Sequence, residues 1–284
     1  MRFGFHISIA GGFSKVVGRA KTRNCETIQI FSRNPRGWKS TPLDEKDVAA
    51  FRAEVAKSTI SPVFVHLPYL PNLATRRSPF YNRSLGVLVG DLVRSETLSA
   101  PYLIMHMGSR LDSSRIEAVN TLAESINHAF CEVDNRTILV LENTSGQGTQ
   151  IGSSFEEMGL VMQEVADQSR LGVCLDTAHA YGAGYDISNR KGLDQTLHEL
   201  DRFIGLERLL LVHLNDTKVP LGSGHDRHWH IGEGNIGLEG FRNIVNHPCL
   251  SHLPGIMETP RKNDDMDLKN MSVIRGLINN KDRP

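Results

Sequence analysis

Eight short apolar runs recur along this chain, and each is followed by a longer amphipathic segment. The run 208–212 is apolar after its first residue and shows no alternation, which is typical of strands covered on both faces. Strands that alternate with helices indicate a parallel sheet. Eight such units within 284 residues predict an α/β fold, a (β/α)8 TIM barrel with its active site at the C-terminal ends of the strands.

We expect a single domain that covers residues 1–284, because no linker, low-complexity block or composition shift divides the eight units. The predicted strands cover residues 3–9, 27–31, 62–66, 102–107, 137–141, 171–175, 208–212 and 255–257. The predicted helices cover residues 13–23, 44–57, 78–98, 114–132, 154–167, 193–204, 238–245 and 268–277.

Composition excludes several classes of protein. The formal net charge is +0, so any surface for nucleic acid must be local. The four cysteines lie far apart without a Cys-x-x-Cys pair, which favours reduced thiols in the cytoplasm. No apolar run approaches the ~18 residues of a membrane span, and the chain enters a strand pattern at once, so we expect neither a membrane anchor nor a signal peptide. No glycine-rich turn has a phosphate-loop context, so no nucleotide cofactor is expected, and nothing demands more than a monomer.

Polar side chains follow the predicted strands with unusual regularity. The candidate residues are His66, His106, Glu142, Asp176, His179, His213, Asp226, His228 and Glu258. Each alone has an ordinary explanation as a packed histidine, a helix cap or an ion-pair partner, but their coincidence at the ends of apolar strands favours one shared metal site. His6, at the end of the first strand, stays open between a packing role and a role behind a metal ligand.

Imidazole and carboxylate ligands suit zinc, with Mn²⁺ or Fe²⁺ as alternatives. The candidate set exceeds what one tetrahedral ion uses, so two or three ions are expected. Such clusters stabilise the attacking and leaving oxygens when a phosphoester is displaced, and they lower the pKa of bound water towards ~7. The set therefore predicts hydrolysis of a phosphoester.

Two loops at the same barrel face could hold a polyanion. One, residues 32–39, carries Arg36 beside other basic residues and a tryptophan. The other follows His66 and carries Tyr69 and Leu70 between prolines. Basic residues position phosphates, and an aromatic–aliphatic pair can wedge into a base stack. The sequence leaves open whether Tyr69 and Leu70 form such a wedge or only cover the barrel mouth.

The chain resembles the endonuclease IV family, the zinc-dependent apurinic/apyrimidinic endonucleases of base-excision DNA repair, and the resemblance covers essentially the whole chain. The segments that carry it are 66–73, 141–144, 174–179, 212–216, 226–228 and 257–260. The resemblance implies a hydrolase, a deoxyribonuclease that cuts double-stranded DNA 5′ to an abasic site, leaving a 3′-hydroxyl and a 5′-deoxyribose phosphate. It also implies trimming of blocked 3′ ends.

The resemblance further implies three zinc ions in a TIM barrel. His66 and His106 would bind the first ion, and Glu142 would bridge it to a second. Asp176, His213 and Glu258 would complete the second ion, and His179, Asp226 and His228 would hold the third. Glu142 and Glu258 would be the catalytic residues, while Arg36, Tyr69 and Leu70 would enter the DNA at the lesion.

Two other functions compete with this interpretation. A metal-dependent sugar isomerase or epimerase would use a related barrel, but it would have no use for the third ligand group. A non-catalytic DNA-binding barrel would have no use for a metal cluster at all. Metal content and a sugar-isomerisation assay would separate the three.

Overall fold

Eight parallel strands close into a barrel within residues 1–261 and 264–279, which the computed structural model describes. The barrel closes where the first strand pairs with the last, Arg2 opposite Pro254. With helices between the strands, this confirms the predicted (β/α)8 TIM barrel. The strands are β1 (Arg2–His6), β2 (Thr27–Phe31), β3 (Val63–His66), β4 (Tyr102–His106), β5 (Ile138–Glu142), β6 (Leu171–Asp176), β7 (Leu209–His213), β8 (Asp216–Thr217), β9 (His228–Trp229) and β10 (Pro254–Met257). Strands β8 and β9 form a short antiparallel pair outside the barrel.

Only the second strand has the predicted bounds; the other seven differ at one or both ends, six of them by a single residue at each affected end, and local turns explain two of these differences. The strand predicted over 3–9 ends at His6, because the chain then turns and the Gly12 N–H donates to the Ile9 carbonyl at 3.0 Å. The strand predicted over 208–212 is shifted by one residue, because Leu206–Arg208 form a 3₁₀ turn. The sixth strand extends one residue further, to Asp176. As a result, His213 and Asp176 are the last residues of their strands.

Helices occupy the outside of the barrel. In the described ranges they are α1 (Val16–Thr22), α2 (Glu45–Ala56), α3 (Tyr81–Thr97), α4 (Arg115–Glu132), α5 (Phe155–Glu164), α6 (Thr177–Ala183), α7 (Arg190–Phe203), α8 (Gly237–Val245) and α9 (Asp264–Gly276). None of them combines the length and the apolar content that a bilayer span requires.

The sequence predicts a glycine-bearing loop between the strand 171–175 and the helix 193–204, but helix α6 lies in that segment, so the prediction is wrong there. The helix is only seven residues long, too short for a strong periodic pattern. It begins where the Asp176 carboxylate accepts a hydrogen bond from the His179 N–H at 2.8 Å. This N-cap both starts the helix and brings two candidate ligands together.

The core has two layers that the strand pattern determines. Inward-facing apolar side chains fill the barrel interior, and outward-facing ones pack against the helices. The interior cluster consists of Phe64, Ile104, Val140, Cys174, Leu211 and Ile256. Since this cluster closes the lower part of the barrel, the polar residues at the strand ends sit on an apolar floor.

Helix α4 offers a matched test of how much the outer layer contributes. Ile126 is fully buried against the barrel, whereas Ile116 on the same helix is 74% exposed. We expect Ile126→Ala to lower the free energy of unfolding by about 2–5 kcal/mol, because it removes buried methyl groups and leaves a cavity. Ile116→Ala should change it by no more than about 0.5 kcal/mol. Denaturant unfolding measures both, and equal effects would contradict this packing.

Candidate metal centre

The candidate residues gather at the C-terminal rim of the barrel because the strands end on them. His66, His106, Glu142, Asp176 and His213 are the last residues of β3, β4, β5, β6 and β7. Glu258 follows the last residue of β10. In a parallel barrel the ends of the strands meet at one face, so these side chains converge there.

Glu142 lies at the middle of the set. Its Oε2 is 3.1 Å from His66 Nε2 and 3.5 Å from His106 Nε2. Its Oε1 is 3.1 Å from His213 Nδ1 and 3.3 Å from His179 Nδ1. The two oxygens thus face different histidines, which is the geometry of a carboxylate shared between two sites.

The side chains form three adjoining groups, in each of which the potential ligand atoms lie within 4.8 Å of one another. They are His66, His106 and Glu142; Glu142, Asp176, His213 and Glu258; and Asp176, His179 and His228. Glu142 links the first two groups. Asp176 links the last two, a second shared carboxylate that the family resemblance did not imply.

Asp226 and His228 complete the third group from a loop rather than from a barrel strand. Asp226 Oδ2 is 3.2 Å from His179 Nε2, and its Oδ1 is 3.4 Å from His228 Nε2. The loop is held by the buried carboxylate of Asp216, which accepts hydrogen bonds from main-chain N–H groups. The donors are Thr217, Gly232, Gly234, Ile236 and Gly237, at 2.7–3.3 Å.

Charges within the cluster shift the pKa values in opposite directions. Burial disfavours an ionised Glu142, but His213 and His106 outweigh it and hold the pKa of this carboxyl well below its usual value. Burial likewise opposes the charged form of His179, yet Asp176 and Asp226 raise its pKa well above the usual value. Partial burial is outweighed at Asp226 too, where His179 holds the pKa at about 2. Glu142 and Asp226 are therefore ionised at neutral pH.

Several histidines have their outward nitrogen fixed by an acceptor. His66 Nδ1 donates to the Leu67 carbonyl at 2.6 Å, and His179 Nδ1 donates to the Asn143 carbonyl at 2.9 Å. A carbonyl oxygen only accepts, so each Nδ1 carries the proton and Nε2 points into the cluster. Such outer hydrogen bonds orient metal-binding histidines.

A set of buried amides lies behind the cluster, and none of them is among the residues predicted from the sequence. Asn143 Oδ1 accepts from the Asp176 N–H at 2.7 Å. Asn215 donates to Asp176 Oδ2 at 2.6 Å and accepts from the Glu258 N–H at 2.8 Å. Gln29 lies among His6, His213 and Glu258. The sequence feature that could have identified them is a polar residue inside an apolar strand, most clearly Gln29 in Thr-Ile-Gln-Ile-Phe.

A cavity of about 390 Å³ opens above the cluster. His106, His179, Asp226 and Glu258 line it, and Tyr69 stands at its edge. Tyr69 is 66% exposed and packs edge-on against Phe31, with ring centroids 5.4 Å apart. Leu70 beside it and Arg36 on the neighbouring loop are also exposed. Tyr69 and Leu70 therefore project into solvent beside the opening of the cavity, with Tyr69 held by its contact with Phe31.

The donor set fits divalent metal ions. Glu142 and Asp176 are fully buried, and every ion pair that the described residues form with them has a histidine as its partner. His179 Nε2 and His228 Nε2 face each other at 3.4 Å. Unpaired nitrogen lone pairs and buried carboxylates that converge on one space are stabilised by a cation.

A (β/α)8 barrel with histidines and carboxylates concentrated at its rim defines a candidate metalloenzyme, and comparison with known proteins places the chain in one family of such barrels. The family model described as xylose isomerase-like TIM barrel matches residues 17–276. A probable endonuclease 4 of Methanosphaerula palustris is 42% identical over 280 residues, which cover 98% of each chain.

Among solved structures, endonuclease IV of Thermus thermophilus superposes with a TM-score of 0.87 at 36% identity, covering 98% of both chains. A D-tagatose 3-epimerase-like protein has a TM-score of 0.72 at 17% identity, covering 98% of this chain and 97% of its own, and shows the shared fold alone. The chain therefore belongs to the endonuclease IV family, which confirms the resemblance, and it is a hydrolase.

Zinc binding should release protons. In the metal-free protein burial opposes charge on His213 and on His179, yet the pKa values of both lie well above 6.5, because Cys174 and the carboxylate of Glu142 raise the pKa of His213 and Asp176 raises that of His179. Protonation of these two histidines therefore stabilises the folded, metal-free protein. This stabilisation is fully present below pH 6.5 and is lost as the pH rises through the pKa values of the histidines in the folded protein. Because zinc binds the unprotonated nitrogen, loading at neutral pH should release protons, and zinc affinity should fall as the pH falls. Proton release can be measured in weakly buffered solution, and zinc uptake without it would refute the assignment.

Proposed function

We propose that this protein hydrolyses the phosphodiester bond 5′ to an abasic site in double-stranded DNA, leaving a 3′-hydroxyl and a 5′-deoxyribose phosphate. It also trims blocked 3′ ends, and it acts as a monomer in the cytoplasm, with residues 1–284 as one catalytic domain. The observation that carries the proposal is the convergence of three adjoining ligand groups that share Glu142 and Asp176. The relatives named endonuclease 4 support it across the whole length of the chain.

The site would hold three zinc ions, with Mn²⁺ or Fe²⁺ as substitutes. The first would be held by His66, His106 and Glu142. Glu142 would share the second with Asp176, His213 and Glu258, and the third would lie between His179, Asp226 and His228. Bound zinc supplies Lewis-acid stabilisation of charge on the phosphodiester and lowers the pKa of water.

The protein's own groups would prepare this chemistry before substrate arrives. Although burial opposes ionisation, His213 keeps the pKa of Glu258 well below its usual value, so the carboxylate is charged at neutral pH. Glu258 lines the cavity, whereas Glu142 is sealed beneath it. Glu258 would therefore face the scissile phosphate, and Glu142 would fix the spacing of the groups around it. Preorganised charges of this kind need little rearrangement during the reaction.

Arg36, Tyr69 and Leu70 would contact the DNA at the lesion. The exposure of Tyr69 and Leu70 beside the cavity supports a wedge that occupies the space left by an extruded nucleotide. Extruding a nucleotide that lacks a base sacrifices no base pair, so the cost of flipping is low and favours abasic sites. Arg36 would contact the phosphate backbone nearby.

Incision of a duplex oligonucleotide with one central abasic analogue tests the proposal directly. We expect a cut on the 5′ side that leaves a 3′-hydroxyl and disappears after prolonged chelation. A second duplex with a blocked 3′ end tests the trimming activity. If the folded, zinc-loaded protein cuts neither, the proposal fails, and isomerisation of a small sugar on the same barrel becomes the next activity to assay.

Glu258→Gln should reduce incision by about 10²–10³-fold or more, the scale on which loss of one electrostatic group slows an active site, since a neutral amide is a weaker ligand for the ion that would lie beside the reacting phosphate. The substitution keeps the size of the side chain, so the fold should persist. Glu26→Gln is the matched control, because Glu26 precedes β2 at the opposite end of the barrel and pairs with Arg275. Rates are compared under single-turnover conditions with metal content measured in parallel. Parent-like incision by Glu258→Gln would remove Glu258 from the mechanism.

The double variant Tyr69→Ala with Leu70→Ala should bind abasic duplex about 10- to 100-fold more weakly, on the scale of interface hot spots. Its zinc content should match that of the parent protein. Leu160→Ala serves as control, because Leu160 is 48% exposed on α5, outside the barrel. Fluorescence anisotropy in the presence of chelator measures binding without turnover. Unchanged affinity for the lesion would refute the wedge.

A further inference from the structure

Gln29 is a buried polar residue in the middle of strand β2. The strand contributes none of the histidines or carboxylates described above, and its other side chains are apolar apart from Thr27 at its start. Gln29 itself has no exposed surface. A buried amide is stable only when its donors and acceptor are paired, so its partners indicate what it does.

The amide bridges two members of the central group. Gln29 Nε2 donates to Glu258 Oε1 at 2.6 Å, and Gln29 Oε1 accepts from His213 Nε2 at 2.7 Å. The amide nitrogen also lies 2.9 Å from His6 Nδ1, and its second hydrogen can reach that atom. The amide oxygen and both amide hydrogens of Gln29 are therefore paired with the central group and with His6.

Hydrogen-bond chemistry fixes the direction of this bridge. An ionised carboxylate only accepts, so the NH₂ end of Gln29 must face Glu258. The oxygen of the same amide must then face His213, and the His213 Nε2 must carry a proton. His66 and His179 have their outer nitrogen fixed by main-chain carbonyls, whereas His213 depends on a side chain.

The consequence appears on the other side of the His213 ring. Its Nδ1 points at Glu142 Oε1 at 3.1 Å, at Glu258 Oε2 at 3.5 Å and at Asp176 Oδ2 at 3.7 Å. With the proton held on Nε2, a neutral His213 presents a lone pair to the same space as three carboxylate oxygens. That arrangement suits a divalent cation and no uncharged molecule.

The barrel holds Gln29 in place from both sides. Strand β2 pairs with β1 and with β3, and Gln29 is opposite His6 in one pairing and Phe64 in the other. Its backbone cannot slide without breaking two ladders of hydrogen bonds. The amide is therefore a rigid support for His213 and Glu258.

We propose that Gln29 is a positioning residue for the central group: it selects the metal-binding tautomer of His213, orients Glu258, and so sets the affinity of the Glu142–Asp176–His213–Glu258 group for a divalent cation. The inference rests on the metal centre of the proposed function and deepens it. It concerns one of the three groups, because among the described residues the Gln29 side chain hydrogen-bonds to His6, His213 and Glu258 and to no ligand that belongs only to the group around His106 or the group around His228.

Gln29→Met tests the inference, because methionine keeps the volume of the side chain and removes the hydrogen bonds to Glu258, His213 and His6. The full-length protein is loaded with zinc and dialysed against a series of chelator concentrations, and the zinc retained per chain is measured. We expect one ion to be lost at a chelator strength about 10- to 100-fold lower than in the parent protein, the scale on which outer hydrogen bonds change metal affinity. The remaining zinc should be retained as in the parent.

Ile126→Ala is the control for a general loss of stability. It destabilises the fold from helix α4, outside the barrel, and should retain all its zinc at the parent's chelator strength. If Gln29→Met also retains its zinc as the parent does, the inference is wrong. If Ile126→Ala loses the same ion as readily as Gln29→Met, fold stability explains the effect and the inference is again wrong.

The two proposals can fail separately. A parent protein that retains no zinc would overturn the metal centre, and with it the role of Gln29. A parent that retains zinc and cuts abasic duplex, next to a Gln29→Met variant with unchanged zinc retention, would overturn only the role of Gln29.

Discussion

The burial of carboxylates among histidines at one end of the barrel is the interaction on which the rest of the site depends. Taking an ionised carboxylate out of water costs several kcal/mol unless opposite charge compensates for it. Glu142 and Asp176 have no exposed surface, and their compensation comes from imidazoles on other barrel strands and on helix α6. The cost of burying these carboxylates thus depends on the register of the parallel barrel, because shifting one strand would separate a carboxylate from its histidine partner.

This dependence explains why the fold and much of the site could be predicted from the sequence. Parallel strands are apolar along their whole length, so a histidine or glutamate at the end of such a run stands out. His66, His106 and Glu142 each end a strand, and the structure brings them to one rim. The topology alone requires that convergence, before any distance is known.

The parts that escaped prediction depend on contacts between distant residues. Helix α6 is too short for a periodic pattern, so a helix cap at Asp176 was only one of several explanations of that residue until its carboxylate was placed against the His179 N–H. No sequence motif marks Gln29 or Asn215, because each is defined by a hydrogen bond to a residue far away in the sequence. Gln29 donates to Glu258, and Asn215 donates to Asp176. The sharing of Asp176 between two groups follows from the angle of one side chain, which sequence spacing does not specify.

The barrel itself does not decide the chemistry. A D-tagatose 3-epimerase-like protein shares the fold at 17% identity, and both frames present strand ends at one face. Differences in function must then lie in what the strand ends and loops carry. Here the loops add Tyr69 and Leu70 beside the cavity, and the segment after β7 adds Asp226 and His228. These loops and this segment are therefore where the chemistry of this chain is determined, rather than in the barrel.

The anchoring of that segment by Asp216 has a thermodynamic consequence. The first two ligand groups come from residues in or directly after barrel strands, so they exist whenever the barrel is folded. The third requires the loop to be closed on one buried carboxylate that gathers main-chain N–H groups from residues 217 to 237. Binding of a cation by Asp226 and His228 is then linked to loop closure, and by reciprocity the cation stabilises the closed loop as much as the loop stabilises the cation. A cation bound by Asp226 and His228 would therefore stabilise the closed loop, whereas cations bound by the other two groups would depend only on the folded barrel.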